Sequence, residues 1–237
     1  SHYDGHDISQ GAMDPASGTV TVMEIARVLN KVKKNLNRRV RCICFGAEEI
    51  GLYGSYNYVA RHRNEMDKAR FMLNLDSGGS PGKKGVIFHN FPELETLLRQ
   101  WAAEMNVEMP TDQKISPYSD HWPFFLSSVP CGSGGDPEAR RTRTGRGYGH
   151  TKYDTVDKVD QQFLRLAAAN YSRFVFRIAN VQEWPARRKN PEEIQEFIKK
   201  QGFDKTVTLA EKTKKYIKTW KEILPETQAW LNRKSDW

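Results

Sequence analysis

Short apolar runs alternate with longer amphipathic stretches over the first 180 residues of the chain. The short runs are rich in β-branched and aromatic residues, which favours buried strands, whereas the longer stretches repeat their apolar residues at helical spacing. The pattern predicts strands at 39–45, 69–75, 85–89 and 127–131, and helices at 19–34, 54–63, 92–106 and 160–180. Strands and helices that alternate in this way are typical of an α/β domain with helices on both faces of a mainly parallel sheet.

The composition changes after residue 184. Beyond residue 190 the chain is rich in Lys and Glu and contains an Asn-Pro-Glu-Glu helix start. Four apolar residues further on have the spacing of one helix face, namely Tyr216, Trp220, Ile223 and Leu224. We therefore expect an α/β domain over 1–184 and a helical C-terminal extension over 185–237 that packs on the domain, caps a site or forms a dimer contact.

The charge of the chain is basic but carries little information about partners. Lys and Arg number 37 and Asp and Glu 29, which gives a formal net charge of +8 among 237 residues. Such a charge is compatible with nucleic acid, anionic lipid or acidic substrates. Because the basic residues are scattered and no nucleic-acid-binding motif is present, a solvated surface explains them, and we expect no nucleic-acid partner. No apolar run is long enough for a membrane-spanning helix.

The three cysteines do not form a disulfide framework. Cys42 and Cys44 lie two residues apart on the predicted strand at 39–45, so their side chains point to the same face. We expect both side chains to lie in the core. A disulfide between them would leave Cys131 unpaired.

Acidic and histidine residues cluster in four short segments that follow predicted strands or precede predicted helices. The segments are His2-Tyr3-Asp4 with the following GAMDPASG, then FGAEEIGL, NLDSGG and YGHTKYDT. In α/β sheets, chemistry gathers at the carboxyl ends of the strands. One acid or histidine near a loop is most often a surface residue, so the prediction of a site rests on their joint occurrence.

Together these segments resemble the dizinc aminopeptidase/carboxypeptidase family that includes plasma glutamate carboxypeptidase. The resemblance runs from His2 to about Asn180 and is densest in HYDGHDISQGAMDPASG and CFGAEEIGLYGS, with SDHWPF as a further matching segment. It implies a three-layer α/β/α fold with a mainly parallel mixed sheet, and a zinc exopeptidase catalytic domain over 1–184.

The resemblance also implies a ligand set for two zinc ions, although other divalent metals are possible. One ion would take His2 and Asp76, the other Glu49 and His150, and Asp14 would be shared. Imidazole and carboxylate ligands suit zinc. Two Zn²⁺ ions and three carboxylates leave a charge of +1, which favours deprotonation of a water at the site.

Further roles follow from the same resemblance. Glu48 matches the general base and Asp4 the acid that orients His2. Asp120 and His121 match a segment near the substrate, and Tyr148 and Tyr153 flank His150, where a phenol can stabilise an oxyanion. A capping or packing role would explain His121 equally well. For the two tyrosines, the alternative is that they form walls of the pocket. An arginine-rich loop contains Arg140, Arg141, Arg143 and Arg146, which would either clamp a substrate carboxylate or remain solvated.

The resemblance therefore predicts an exopeptidase that hydrolyses a terminal bond of a peptide substrate, as an aminopeptidase or a carboxypeptidase. A homodimer is compatible with the sequence. Three alternatives stay open: a binding or receptor-like homologue without catalysis, a glutaminyl cyclase-type acyl transferase, and a basic nucleic-acid-binding module. The family resemblance alone favours a secreted or extracytoplasmic location. Because only Ser1 precedes His2 here, without the strand that precedes this ligand in the family, we expect the metal at His2 and Asp76 to bind more weakly than its neighbour.

Overall fold

A computed structural model of the chain describes residues 1–141 and 147–207. The chain divides into two compact units, Ser1–Asn190 and Pro191–Trp237. The first unit contains four strands: β1 (Met72–Asn74), β2 (Gly85–Phe88), β3 (Thr111–Gln113) and β4 (Cys131–Gly135). Its α-helices are α1 (Ser17–Lys31), α2 (Tyr53–Arg61), α3 (Arg63–Met66), α4 (Pro92–Glu104), α5 (His121–Leu126), α6 (Pro137–Arg141) and α7 (Gln161–Asn180). In the second unit, α8 (Pro191–Gln201) begins at the predicted Asn-Pro-Glu-Glu start.

The four strands form one mixed sheet in the order β1-β4-β2-β3. The β1–β4 and β2–β3 pairs are parallel, whereas β2 and β4 are antiparallel. All four residues of β2 are buried, and helix α7 contributes Tyr171 and Phe174 to the core. A mixed sheet with flanking helices is the predicted α/β class, which is thereby confirmed. The division of the chain into domains at 184 and 185 stays a prediction.

Helix α7 shows why the strongest periodic signals are matched by the structure. Asp160 precedes the helix, and its carboxylate accepts a hydrogen bond from the backbone N–H of Gln162 at 2.7 Å. An acceptor at this position satisfies a donor that the first helical turn leaves free. Helix α1 and helix α4 likewise lie close to the ranges expected from their apolar periodicity.

The strand predicted at 39–45 is wrong within the described structure. Within the described residues the segment forms no strand: Phe45 makes a single parallel bridge to His2, and the carbonyl of Ile43 accepts a hydrogen bond from the Ser1 ammonium at 3.4 Å. Phe45 packs in a buried cluster with Met66, Phe124 and Val129, whereas Cys42 and Cys44 are exposed. The expectation that both cysteines lie in the core is therefore also wrong, because the side chains of the opposite parity face the cluster.

The strand predicted at 127–131 instead lies at Cys131–Gly135 and overlaps the predicted run only at Cys131. Its glycines have no strand propensity, but the surrounding core leaves no room for side chains. A Cβ on Gly134 would lie 2.3 Å from Leu75 Cδ2, and one on Gly132 would lie 2.9 Å from Val86 Cγ1.

One close approach fixes the start of helix α1 against the end of strand β1. A Cβ on Gly18 would lie 2.1 Å from the carbonyl oxygen of Leu75 and 2.6 Å from the carbonyl carbon of Asp76. Only glycine permits this contact. It brings Asp14, just before the helix, next to Asp76, just after the strand.

Candidate metal centre

Asp14 lies between two histidines that are 148 residues apart in the sequence. Its Oδ1 is 3.4 Å from Nε2 of His2, and its Oδ2 is 3.4 Å from Nε2 of His150. Each oxygen of this carboxylate therefore faces a different imidazole. Such an arrangement suits a carboxylate that bridges two bound cations.

Further carboxylates surround each histidine separately. Nε2 of His2 is 3.9 Å from Oε2 of Glu48 and 3.9 Å from Oδ1 of Asp76. Nε2 of His150 is 3.1 Å from Oε2 of Glu49. The structure thus brings together the five side chains predicted as ligands, with Glu48 on the His2 side.

The backbone next to His2 is held by the extended segment that ends at Phe45. The N–H of Tyr3 donates to the carbonyl of Phe45 at 2.9 Å, and the N–H of Phe45 donates to the carbonyl of Ser1 at 2.8 Å. His2 is 1% exposed. These contacts position the His2 side chain, while the weaker metal binding expected there stays a prediction.

Asp4 contacts both His2 and Glu49. Nδ1 of His2 lies 2.9 Å from the backbone carbonyl of Asp4 and 3.5 Å from Oδ1 of its carboxylate. The Asp4 carboxylate accepts the backbone N–H of Glu49 through Oδ2 at 3.1 Å. With Nδ1 donating to this carbonyl, Nε2 of His2 is free to act as a metal ligand.

Asp154 is a supporting residue to which the sequence analysis assigned no role. Its side chain is completely buried and accepts backbone N–H bonds from Met13 at 2.6 Å and from Asp14 at 3.1 Å. This carboxylate fixes the turn that carries Asp14. The contact joins residues 140 positions apart, so no local pattern predicts it. In the sequence, only the position of Asp154 four residues after His150 hints at a role in the site.

The carboxylate of Asp76 is oriented by two buried polar side chains. Asn74 donates to Oδ1 at 2.8 Å, and the hydroxyl of Ser119 donates to Oδ2 at 2.8 Å. Burial alone would raise the pKa of Asp76, but the charge of His2 and the Ser119 hydrogen bond outweigh it and leave the pKa below its ordinary value. Asp76 is therefore ionised.

The site concentrates negative charge. Burial would lower the pKa of His2, but its hydrogen bond with Asp14 and the charges of Asp76 and Glu48 raise that pKa to about 10. Burial, together with the charge of Asp76, raises the pKa of Glu48 to about 8. Burial and the charge of Asp14 also raise the pKa of Glu49. A raised pKa at His2 and raised pKa values at two neighbouring glutamates indicate a strong negative potential, which bound cations would offset.

The sequence of residues 1–175 matches the profile of peptidase family M28. The chain belongs to this family. Since the matched region is about three quarters of the chain, the predicted resemblance to zinc exopeptidases is confirmed.

Relatives of this M28 chain include aminopeptidase YwaD of Bacillus subtilis (strain 168), which is 29% identical over 215 residues. The alignment covers 86% of this chain and 44% of YwaD. Among solved structures, BSAP, a zinc aminopeptidase from Bacillus subtilis, superposes with a TM-score of 0.65 at 26% sequence identity. The superposition covers 79% of this chain and 48% of the BSAP chain. An aminopeptidase from Aneurinibacillus sp. strain AM-1 gives a TM-score of 0.61, also at 26% identity. The M28 chain therefore spans about half the length of these relatives.

The donor set of the M28 chain fits zinc. Two groups of possible ligands, each with its ligand atoms within 4.8 Å of one another, share Glu49: His2 with Asp14 and Glu49, and His6 with Glu49 and His150. In the described part of the chain, Oε1 of Glu49 is buried without a hydrogen-bond partner. A buried carboxylate oxygen without a donor costs free energy unless a cation or a donor occupies the space beside it.

The residues predicted to bind substrate fall into two classes. Asp120 and His121 are 0% and 1% exposed. His121 forms hydrogen bonds with neighbouring groups, and its ring stacks on that of His89 with the centroids 3.8 Å apart. Their burial gives no support to direct contact with a substrate. Burial raises the pKa of Asp120 to about 6, and the charge of Asp76 acts in the same direction.

Tyr148 and Tyr153 are, by contrast, 48% and 57% exposed and remain available to a substrate. Lys158 lies over the ring of Tyr148, and Lys152 over that of Tyr153. The side chains of the predicted arginine clamp, Arg140, Arg141, Arg143 and Arg146, lie outside the described part of the structure. So does the predicted helix face of Tyr216, Trp220, Ile223 and Leu224.

Proposed function

We propose that this chain contains the catalytic centre of a zinc aminopeptidase that holds two metal ions. The observation that carries the proposal is the position of Asp14, whose two oxygens face His2 and His150 at equal distances of 3.4 Å. His2 and Asp76 would hold one ion, Glu49 and His150 the other, and Asp14 both. Two Zn²⁺ ions would balance the three ligand carboxylates and leave one positive charge.

Zinc bound at these residues would lower the pKa of a water and polarise the peptide carbonyl. Glu48 then has the position of the general base. It lies on the His2 side, 3.9 Å from Nε2, and its side chain is 14% exposed. Its pKa of about 8 applies to the metal-free site, and nearby positive charge lowers it, so that Glu48 accepts the proton of the attacking water and transfers it to the leaving amine.

An amino terminus rather than a carboxyl terminus is the end that the proposed centre would act on. The bound zinc ions would offset the ligand carboxylates, so only a carboxylate that binds no metal could favour the ammonium group of a free peptide N-terminus over a terminal carboxylate. Glu48 is such a carboxylate, 3.9 Å from His2 Nε2. The names of the relatives, aminopeptidase YwaD and the zinc aminopeptidase BSAP, support the same direction.

The proposal is tested with three versions of one tripeptide: both ends free, N-acetylated, and C-amidated. The zinc-loaded protein should release the first residue of the free and amidated peptides and leave the acetylated peptide intact. Glu48→Gln serves as the matched control, since it should bind zinc and release little product. Cleavage of the acetylated but not the amidated peptide would show a carboxypeptidase, and no cleavage by the zinc-replete protein would favour a homologue without catalysis.

A further inference from the structure

His6 is a histidine beside the metal centre that the predicted ligand set does not include. A ring nitrogen of His6, a carboxylate oxygen of Glu49 and a ring nitrogen of His150 lie within 4.8 Å of one another. The rings of His6 and His150 are stacked, with centroids 5.1 Å apart and planes inclined by 29°. The sequence offered little reason to select His6, because it follows His2 by four residues in a loop without helical or strand periodicity.

The surroundings of His6 leave one of its ring nitrogens without a strong partner. Nδ1 is buried and forms no hydrogen bond within the described residues, although Asp7 Oδ1 lies 3.3 Å away in poor geometry. The side chain as a whole is 40% exposed. An imidazole with a buried nitrogen that forms no hydrogen bond among the described residues, beside the carboxylate of Glu49 and the ring of His150, has a lone pair available for a metal ion.

We propose that His6 is a further protein ligand of the metal ion held by Glu49 and His150. The inference rests on the two-metal centre of the proposed function. With Asp14 shared, this ion would have two imidazole and two carboxylate ligands, the number that fills a tetrahedral zinc site. The other ion, at His2 and Asp76, keeps an open position, and Glu48 lies on that side.

The two halves of the centre therefore differ in task. A zinc ion with four protein ligands anchors structure, whereas one with an open position carries chemistry. The additional imidazole also makes the His150 half the tighter site for nitrogen-preferring metals. If His6 only stacked on His150, its removal would change neither the number nor the affinity of the bound ions.

Metal titration of the full chain separates these possibilities without relying on activity. The metal-free protein is titrated with Co²⁺, and binding is followed by the visible absorption of the ion, which reports the number of ligands and their geometry. His6→Ala should weaken one of two binding events by at least about 10-fold and alter its absorption bands. His62→Ala is the matched control, since His62 pairs with Glu65 at 2.7 Å and is 37% exposed.

A second measurement uses the wild type and avoids any effect of substitution on folding. The ring-nitrogen chemical shifts of the histidines are recorded by NMR with and without Zn²⁺. A large shift of one His6 ring nitrogen on zinc addition supports ligation. Two results together would overturn the proposal that His6 is a ligand. The His6 shifts would be unchanged by zinc, and His6→Ala would have the Co²⁺ affinities and spectra of the wild type. Binding of a single ion by the wild type would contradict the two-metal centre itself, and the His6 shift would still decide whether His6 is a ligand.

Discussion

At the scale of single residues, Glu48 and Glu49 are neighbours in the chain with different surroundings. Glu49 lies 3.1 Å from His150 and its side chain is 6% exposed, whereas Glu48 faces His2 and is 14% exposed. We predict that Glu48→Gln retains its metal and lowers kcat by about 10²–10⁴-fold, because it removes general acid–base catalysis. Glu49→Gln should instead lose metal affinity, because it removes a ligand charge.

Both variants are measured for bound zinc by elemental analysis and for peptide hydrolysis, with the exposed Glu93→Gln in α4 as the control. Equal loss of zinc from Glu48→Gln and Glu49→Gln would contradict this division of roles.

Asp154 gives a second prediction at this scale. Its buried carboxylate accepts the N–H groups of Met13 and Asp14, and a hydrogen bond to a charged group contributes about 1.5–3 kcal/mol. Asp154→Ala should therefore lower the free energy of unfolding of the metal-free protein by at least about 1.5 kcal/mol, as measured in urea. Asp157→Ala, which removes an exposed partner of Lys158, should change it by less than about 1 kcal/mol. Equal effects of the two substitutions would show that Asp154 is not a support for the Asp14 turn.

The sequence predicted which residues meet at the site better than it predicted what holds them. His2, Asp14, Glu49, Asp76 and His150 each stand in a short segment with a recognisable local pattern. Asp154 and Ser119 act through contacts that join distant parts of the chain, and His6 depends on the path of a loop. Local patterns carry no information on such contacts.

At the scale of elements, the same limit explains the errors in the strands. The run at 39–45 has high strand propensity, yet a strand needs a ladder of backbone pairs, and within the described residues this run forms one isolated bridge, at Phe45. Cys131–Gly135 has low propensity, yet it lies between β1 and β2. Propensity predicted the long amphipathic helices well because burial of one face is a property of the element itself.

Lys84 connects the start of β2 to α7 and gives a prediction about pH. Lys84 is 2% exposed, and its Nζ lies 5.1 Å from the centroid of the Phe163 ring. Burial lowers its pKa from 10.5 to about 8, although Asp136 and Asp160 oppose the shift. Between these pH values the unfolded chain holds a proton that the folded chain has released, so stability rises with pH in this window.

Denaturant unfolding at pH 7 and at about pH 10 should therefore show wild type gaining stability relative to Lys84→Met as the pH rises. The exposed Lys83→Met, which removes a partner of Glu108, should show no comparable gain. A constant difference between wild type and Lys84→Met at both pH values would contradict the burial of a charged Lys84.

At the scale of the whole molecule, a chain about half as long as its relatives carries every predicted ligand of the M28 centre. These ligands come from the segment bridged to Phe45, the turn before α1, the turn before α2, the end of β1 and the turn after residue 147. Within the described residues, none of the helices is long and apolar enough to cross a bilayer. The fold thus brings five separated segments together around Asp14.

The most direct test of this centre is a crystal of the zinc-loaded protein measured at the zinc absorption edge. Two anomalous peaks should flank Asp14 at a separation of about 3.5–4 Å, the usual distance in two-metal sites. One peak should contact His2 and Asp76, and the other Glu49 and His150. A single peak, or two peaks of which neither contacts Asp14, would contradict the two-metal centre.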